Sequence, residues 1–395
     1  MIKMKKNRFV LLIAGVVIAT LVVSGAGLYL FASANDMALV SKSKYETAVE
    51  TGNKYAKLDQ LQKLTSEQFL WDVNEEAQMD AIYKAAVDAL GDKYSYYMNE
   101  EEYKEWSDMI TGTFTGVGVV FTQDEEGSYV VNRVIEDGPA DLAGIKAGDI
   151  LLKVDGKFYE DSNEMAMAIR GESGTTVKVT YQHGKETKTA EMVRAEVTEP
   201  SVYATKFKEG KKVYGYLQIT AFEAETAKQF EKELKALEND QVAGVIIDLR
   251  NNPGGMVDQC VEIADMLLPE AVITYTEDRK GNQETYNSDE HCTKLNYVVV
   301  VNEHSASASE IIAAAVKDNK GGPLVGTKTF GKGIIQGSMG FEDGSAMTLT
   351  IMQYFSPNGT KIHQTGVKPN YVEKLDENAK TDTQLEKALD LLEEM

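Results

Sequence analysis

The chain has 395 residues, enough for two or three domains, and its 26% charged and 43% hydrophobic residues are an ordinary globular balance. A net charge of −21 argues against a nucleic-acid partner, which wants a basic face, and fits an exported protein kept soluble by its acidity. Two cysteines, Cys260 and Cys292, are too few for a disulfide framework, and each is expected as a small buried hydrophobe.

In chain order, Lys3, Lys5, Lys6 and Arg8 precede an uncharged apolar run over residues 9–34. The run is long enough to span a bilayer and longer than the usual core of a signal peptide. Its basic flank predicts a cytoplasmic N-terminus with everything after the run outside. Ala32-Ser33-Ala34 is similar to a signal peptidase site, so a cleaved, secreted form is the alternative to the favoured uncleaved anchor. No cysteine stands directly after the run, which argues against a lipid anchor. Without the four basic residues of the flank, the exported part carries −25 instead of −21.

Residues 36–106 read as helices. The stretch 77–90 has apolar residues at helical spacing, and Gly91 supplies a stop. Val154-Asp155-Gly156 is a hairpin signal, and Ala166 to Arg170 ends a helix at Gly171. Further on, strands are predicted at 214–219, 244–249, 272–276, 297–301, 324–326, 334–338 and 346–353, with helices at 225–237, 257–268 and 310–317. Alternating strands and helices imply an α/β core. From Tyr371 onward the chain is polar and is expected to end in a short surface helix.

Three stretches carry candidate chemistry. Asn-Glu-His-Ser-Ala-Ser-Ala-Ser-Glu (302–310) lies where a strand turns into a helix, and a serine there sits at a helix N-terminus whose N–H groups stabilise negative charge. Thr-Phe-Gly-Lys-Gly-Ile-Ile-Gln (329–336) holds Lys332 between two glycines, which allow close backbone approach. Strand alternation points positions 332, 334 and 336 the same way, so Lys332 and Gln336 are expected to face one site. A serine nucleophile needs a base, and a lysine serves only when burial or neighbouring positive charge keeps it neutral. Arg-Asn-Asn-Pro-Gly-Gly (250–255) is a glycine turn between a strand and a helix that can present free N–H groups. Such donors are worth about 3–4 kcal/mol each when aimed at a developing oxyanion.

These blocks resemble the signature of the C-terminal processing peptidases, tail-specific serine proteases with a Ser–Lys dyad. The pattern Ser-Ala-Ser-Ala-Ser-Glu, followed by Phe-Gly-Lys-Gly-x-x-Gln, stands here without a gap. The resemblance implies that Ser307 is the nucleophile, Lys332 its base and Gln336 an orienting partner that hydrogen-bonds Lys332. It also implies an oxyanion hole from the N–H groups of Gly255 and Ala308, with Gly255 rather than Gly254 chosen by alignment to the Leu-Arg-x-Asn-x-Gly-Gly block. Gly-Asp-Lys-Tyr-Ser-Tyr-Tyr-Met (91–98) resembles the segment before the family's PDZ domain, although Lys93 stands where relatives often have proline. Thr-Gly-Val-Gly-Val-Val-Phe (115–121), Gly138-Pro139-Ala140 and Ala147-Gly148-Asp149-Ile150-Leu151 are similar to that domain's peptide-receiving loop and strand and its Gly-Pro-Ala and Gly-Asp-x-Ile blocks. Gly116, Val117, Gly118 and Val119 are the substrate-binding positions so implied, through backbone donors for a terminal carboxylate and a strand edge for the peptide.

The expected protein is an α/β (α+β) multidomain chain with a crotonase-like catalytic core. Residues 1–8 form a cytoplasmic basic flank, 9–34 an anchor or signal sequence, 36–111 a helical region, 112–196 the PDZ domain, 197–372 the protease core and 373–395 a tail. The resemblance implies an endopeptidase acting on proteins or peptides with free C-termini, with homodimer pairing through the N-terminal helices; the apolar run implies membrane attachment through the N-terminus, and no cofactor or metal is expected. The PDZ domain is expected to act as a hinged lid, and Arg170, at the end of its helix, to reach across and stabilise the active arrangement. The competing class is a PDZ-type binding protein with an inactive hydrolase core. A Ser–His–Asp triad is disfavoured because His304 is adjacent to Ser307 on a loop and the other histidines are remote in sequence. His183, His291, His304 and His363 show no metal-ligand spacing, and Gly331-Lys332-Gly333 lacks the flanking residues of a phosphate loop.

Overall fold

The computed structural model describes residues 5–35, 37, 40–124, 127–376 and 379–395; Lys3 and Asp36 of the expected flank and helical region lie outside them. Contacts divide the chain into residues up to Met79 and Asp80–Met395, each compact by itself. The first unit holds helix α1 (Lys6–Ala34), α2 (Lys42–Gln68) and the first turn of α3 (Glu75–Asp88). α1 is long and apolar enough to cross a membrane. Nearly all of it is exposed, and α2 buries no residue at all. A hydrogen bond between Gln78 and Thr65 and another from Gln62 to the Met79 sulfur tie α2 to α3.

In the second unit, residues expected as helical instead include a short strand, β1 (Tyr96–Met98), before α4 (Glu100–Thr111). Asn99 starts α4 with a reciprocal capping box to Glu102, and Gly112 ends it in the left-handed conformation at φ 67°. Two strands, β2 (Thr113–Gly116) and β8 (Ala195–Thr198), pair antiparallel and bracket a small module. Its sheet runs β3 (Val119–Gln123), β4 (Tyr129–Val134), β5 (Ile150–Val154), β6 (Thr176–His183) and β7 (Glu186–Val193), all antiparallel. Helices α5 (Pro139–Leu142) and α6 (Ser162–Ile169) complete it, with Val117, Val131, Leu151, Met165 and Val179 in its core. Arg194 donates to the Ala168 and Ile169 carbonyls, filling acceptors that the end of α6 leaves open.

The core that follows is a six-stranded sheet in the order β18 (Tyr371–Val372), β15 (Leu324–Gly326), β14 (Tyr297–Val301), β11 (Val245–Asp248), β10 (Lys212–Ile219), β9 (Val202–Glu209). It is parallel except for the β9 edge. Val245, Ile247, Val299 and Val301 face the helices α7 (Thr226–Asn239), α8 (Val257–Leu267) and α9 (Ala308–Asp318). The alternate residues Ile246, Val298 and Val300 face α10 (Thr383–Glu394), as strand periodicity requires. α10 is therefore no mere surface helix: Ala388, Leu391 and Leu392 are buried against the sheet. A second sheet joins β1, β17 (Ala346–Phe355), β12 (Ala271–Asp278) and β13 (Gln283–Ser288), with β16 (Ile334–Gly340) also on β17. Cys260 is buried as expected, Cys292 is partly exposed, and both are free thiols.

Candidate active site

Strand β14 ends at Val301 and α9 begins at Ala308, so the serine block forms the turn between them. Its three serines separate by environment. The Ser305 hydroxyl is buried and donates to the Leu249 carbonyl at 2.8 Å, and the buried Ser309 hydroxyl donates to the Asn252 carbonyl at 3.1 Å. Both fasten this turn to the one after β11. Ser307 remains, at the N-cap of α9 and on the wall of a cavity of about 540 Å³. Its φ of 55° is in the left-handed region, a strained place for a serine and one characteristic of functional turns.

The turn after β11 packs directly under it. A Cβ on Gly254 would come within 2.6 Å of the Ser307 Cβ, so only glycine fits. Gly255, at φ 144°, lies in a bridge with Phe222: the Phe222 N–H donates to Gly254 O at 3.0 Å and Met256 N–H to Phe222 O at 2.7 Å. The Gly254 N–H is taken by the Asn252 side chain at 2.8 Å. Among the described residues, the N–H groups of Gly255 and Ala308 have no acceptor within the chain. That difference is a physical ground for preferring Gly255 over Gly254 as a donor to a ligand.

Lys332 borders the same cavity, as do Gln336, Gly254 and Gly255. Its ammonium lies 4.8 Å from the centre of the Tyr94 ring. Burial is the leading influence on it and lowers its pKa, aided by Lys93; Asp92 and Glu310 pull the other way, and the net direction is down. The hydrogen bond expected from Gln336 to Lys332 is not formed. The Gln336 amide instead donates to Thr350 Oγ1 at 3.4 Å, and Thr350 donates to Asp92 at 2.6 Å. Asp92 also accepts from the Ser95 hydroxyl at 2.6 Å, and these bonds contribute to a carboxyl below its usual range despite burial.

Two residues with no role assigned from the sequence organise the site. Glu310, fully buried, accepts from the N–H of Ser307 at 3.0 Å, Gly331 at 2.7 Å and Lys332 at 2.8 Å, and from the Thr329 hydroxyl at 2.5 Å. One carboxylate thus holds the serine turn and the lysine loop together, with charge-assisted bonds of the stronger kind. The buried Tyr354 hydroxyl lies between the carbonyls of Ser307, at 3.0 Å, and Lys332. Glu310 was visible as the last residue of the serine motif, whereas nothing local marks Tyr354.

Gly116, Val117, Gly118 and Val119 border a second groove of about 280 Å³ between β3 and α6. Arg170 borders it too, with its guanidinium 5.5 Å from the centre of the Phe114 ring. Arg170 is not among the residues around Ser307, so the expected reach across is not made here. His304 is exposed on its loop, and no group of His, Cys, Asp and Glu able to hold a metal occurs among the described residues.

The profile of peptidase family S41 matches residues 213–373, and that of the PDZ domain matches residues 115–193. The carboxy-terminal processing protease CtpA of Bacillus subtilis is 31% identical over 92% of this chain and 78% of its own length. A probable CtpA-like serine protease of Staphylococcus haemolyticus is 30% identical over 93% of this chain and 73% of its own. Among solved structures, the photosystem II D1 C-terminal processing protease aligns with a TM-score of 0.49 and 29% identity, over 84% of this chain and 90% of the other.

Proposed function

The chain belongs to peptidase family S41, and on that premise we propose that it is a membrane-attached, extracytoplasmic serine endopeptidase that cleaves proteins at or near their C-termini. In this reading neutral Lys332 takes the Ser307 proton as Ser307 Oγ attacks the scissile carbonyl. The tetrahedral oxyanion is held by the N–H groups of Gly255 and Ala308. Lys332 then protonates the leaving amine, and water hydrolyses the acyl-enzyme by the same route. Gln336 contributes by anchoring the Thr350–Asp92 network beside Lys332 rather than by a bond to the ammonium. The observation that carries the reading is the convergence of a strained serine, a lysine with lowered pKa and the unengaged Gly255 N–H on one cavity wall, with the unengaged Ala308 N–H next in sequence to Ser307.

Membrane attachment is supported by the exposed apolar helix α1 behind its basic flank. Capture of a free substrate tail is supported by the groove around Gly116–Val119. Pairing of two copies through the N-terminal helices is supported by α2, which buries nothing, and by Phe69, Leu70 and Trp71, exposed in succession after it. The test of the chemistry is cleavage of an unstructured reporter protein. Ser307→Ala and Lys332→Arg should each abolish turnover, the latter because a guanidinium stays charged at any accessible pH. Activity retained in Lys332→Arg would remove lysine as the base.

A further inference from the structure

Glu223 occupies an unusual position. It lies on the wall of the catalytic cavity, next to Phe222, whose backbone brackets Gly255. It also lies against Gly112, the left-handed residue joining α4 to the first strand of the PDZ module: a Cβ on Gly112 would collide with the Glu223 carboxyl. Glu223 Oε2 is buried there without a hydrogen-bond partner. Two backbone bonds stitch the junction around it, from Glu199 N–H to Gly112 O at 2.9 Å and from Ala224 N–H to Thr111 O at 3.2 Å.

We propose that Glu223 is a pH-responsive positioning residue that closes the junction between PDZ module and catalytic cavity when protonated and loosens it when ionised. The proposal rests on the protease reading, since what it positions is the segment bracketing Gly255. The physical reason is that a carboxylate wedged under a backbone, with one oxygen buried and unpaired, is costly, whereas the neutral acid tolerates the place. The surrounding charges do not relieve it. Glu199 is a like charge, paired with Arg133 of β4 and bordering the peptide groove. Asp108 of α4 and the Glu225–Lys228 pair line the neighbouring cleft. Lys93 and Lys332 border the same cavity but make no ion pair with it. Burial first, and the Glu199 carboxylate second, push the Glu223 carboxyl up to about 7.

The sign follows from linkage. A carboxyl raised in the closed junction from the ordinary value penalises closure progressively as pH rises from that ordinary value to about 7. The closed-to-open ratio should therefore fall by a factor of some tens between pH 5 and pH 8, roughly, if the open carboxyl is ordinary. The measurement is hydrogen exchange of the Glu199 and Ala224 amides in the full chain in nanodiscs, carrying Ser307→Ala to prevent self-cleavage. Rates are converted to protection factors so that base catalysis of exchange cancels. Protection should fall tens-fold from pH 5 to pH 8 in this parent and stay level when Glu223→Gln is added. Glu199→Gln, which removes the like charge, should move the fall to lower pH and keeps the test open should the Glu223 variant not fold. A parent without the fall, an equal fall with Glu223→Gln, or an unmoved transition with Glu199→Gln overturns the proposal. Because these proteins lack the nucleophile, the result is independent of whether Ser307 proves catalytic in the active chain.

Discussion

In the proposed mechanism Lys332 would serve as a base only in the fraction of molecules where its ammonium has lost a proton, so the charges around it would set the working pH. Burial dominates and lowers its pKa; Asp92 and Glu310 oppose, and Lys93 assists by repulsion. Lys93 also stands 4.8 Å from the centre of the Tyr94 ring, the ring that Lys332 approaches at the same distance. With a lowered lysine pKa, kcat/KM should rise with pH along a limb lying below the ordinary lysine range. Lys93→Met removes a like charge, so the limb should shift toward alkaline pH by a fraction of a unit while the plateau rate is kept. A pH–rate profile identical to that of the parent would show that Lys93 does not tune the base.

At the scale of elements, the turn after β11 is held from two sides. Ser305 and Ser309 tie it to the serine turn above. Below, Arg250 pairs with Asp248 at 2.6 Å and Asp382 at 2.7 Å and donates to Gln384, binding the turn to the start of α10. The C-terminal helix is thus a support of the candidate oxyanion turn as well as a lid on the sheet. Leu391→Ala should cost about 2–5 kcal/mol, the range for removing a buried leucine side chain. Urea unfolding of the chain without α1 would measure it, and a loss below about 0.5 kcal/mol, the scatter typical of surface sites, would show that α10 packs loosely.

Over the whole molecule, the candidate tail-binding groove and the candidate catalytic cavity are separate places, one on β3 and α6, the other among α4, strands β1, β16 and β17 of the second sheet, and the turns after β10, β11 and β14. A ligand in the groove changes catalysis only by binding one arrangement of the molecule better than another. Peptides with a free, apolar C-terminus should therefore accelerate cleavage of a second, unstructured reporter, and their amidated forms should do so less. Equal rates with both would remove carboxylate recognition as a control while leaving Ser307 and Lys332 untouched.

What the sequence determined by itself was whatever is written in contiguous residues. The long uncharged run specified α1, the near-continuous valines specified β14 as a strand, and the glycine-flanked blocks marked the turns of the site. Strands β9 and β13 escaped notice because edge and polar strands take their conformation from ladder bonds to a neighbour rather than from their own alternation. β1 escaped for a related reason: three residues carry no period, and its pairing partner β17 lies some 250 positions later. The Gln336 amide likewise found Thr350 across the strand pair β16–β17, a partner that motif spacing does not reveal. Only the tertiary structure decided that Glu310 gathers the N–H groups of Ser307, Gly331 and Lys332, and that Tyr354 stands between the carbonyls of two of them. A buried polar group must find partners wherever the fold brings them, and those partners need have no relation to it in sequence.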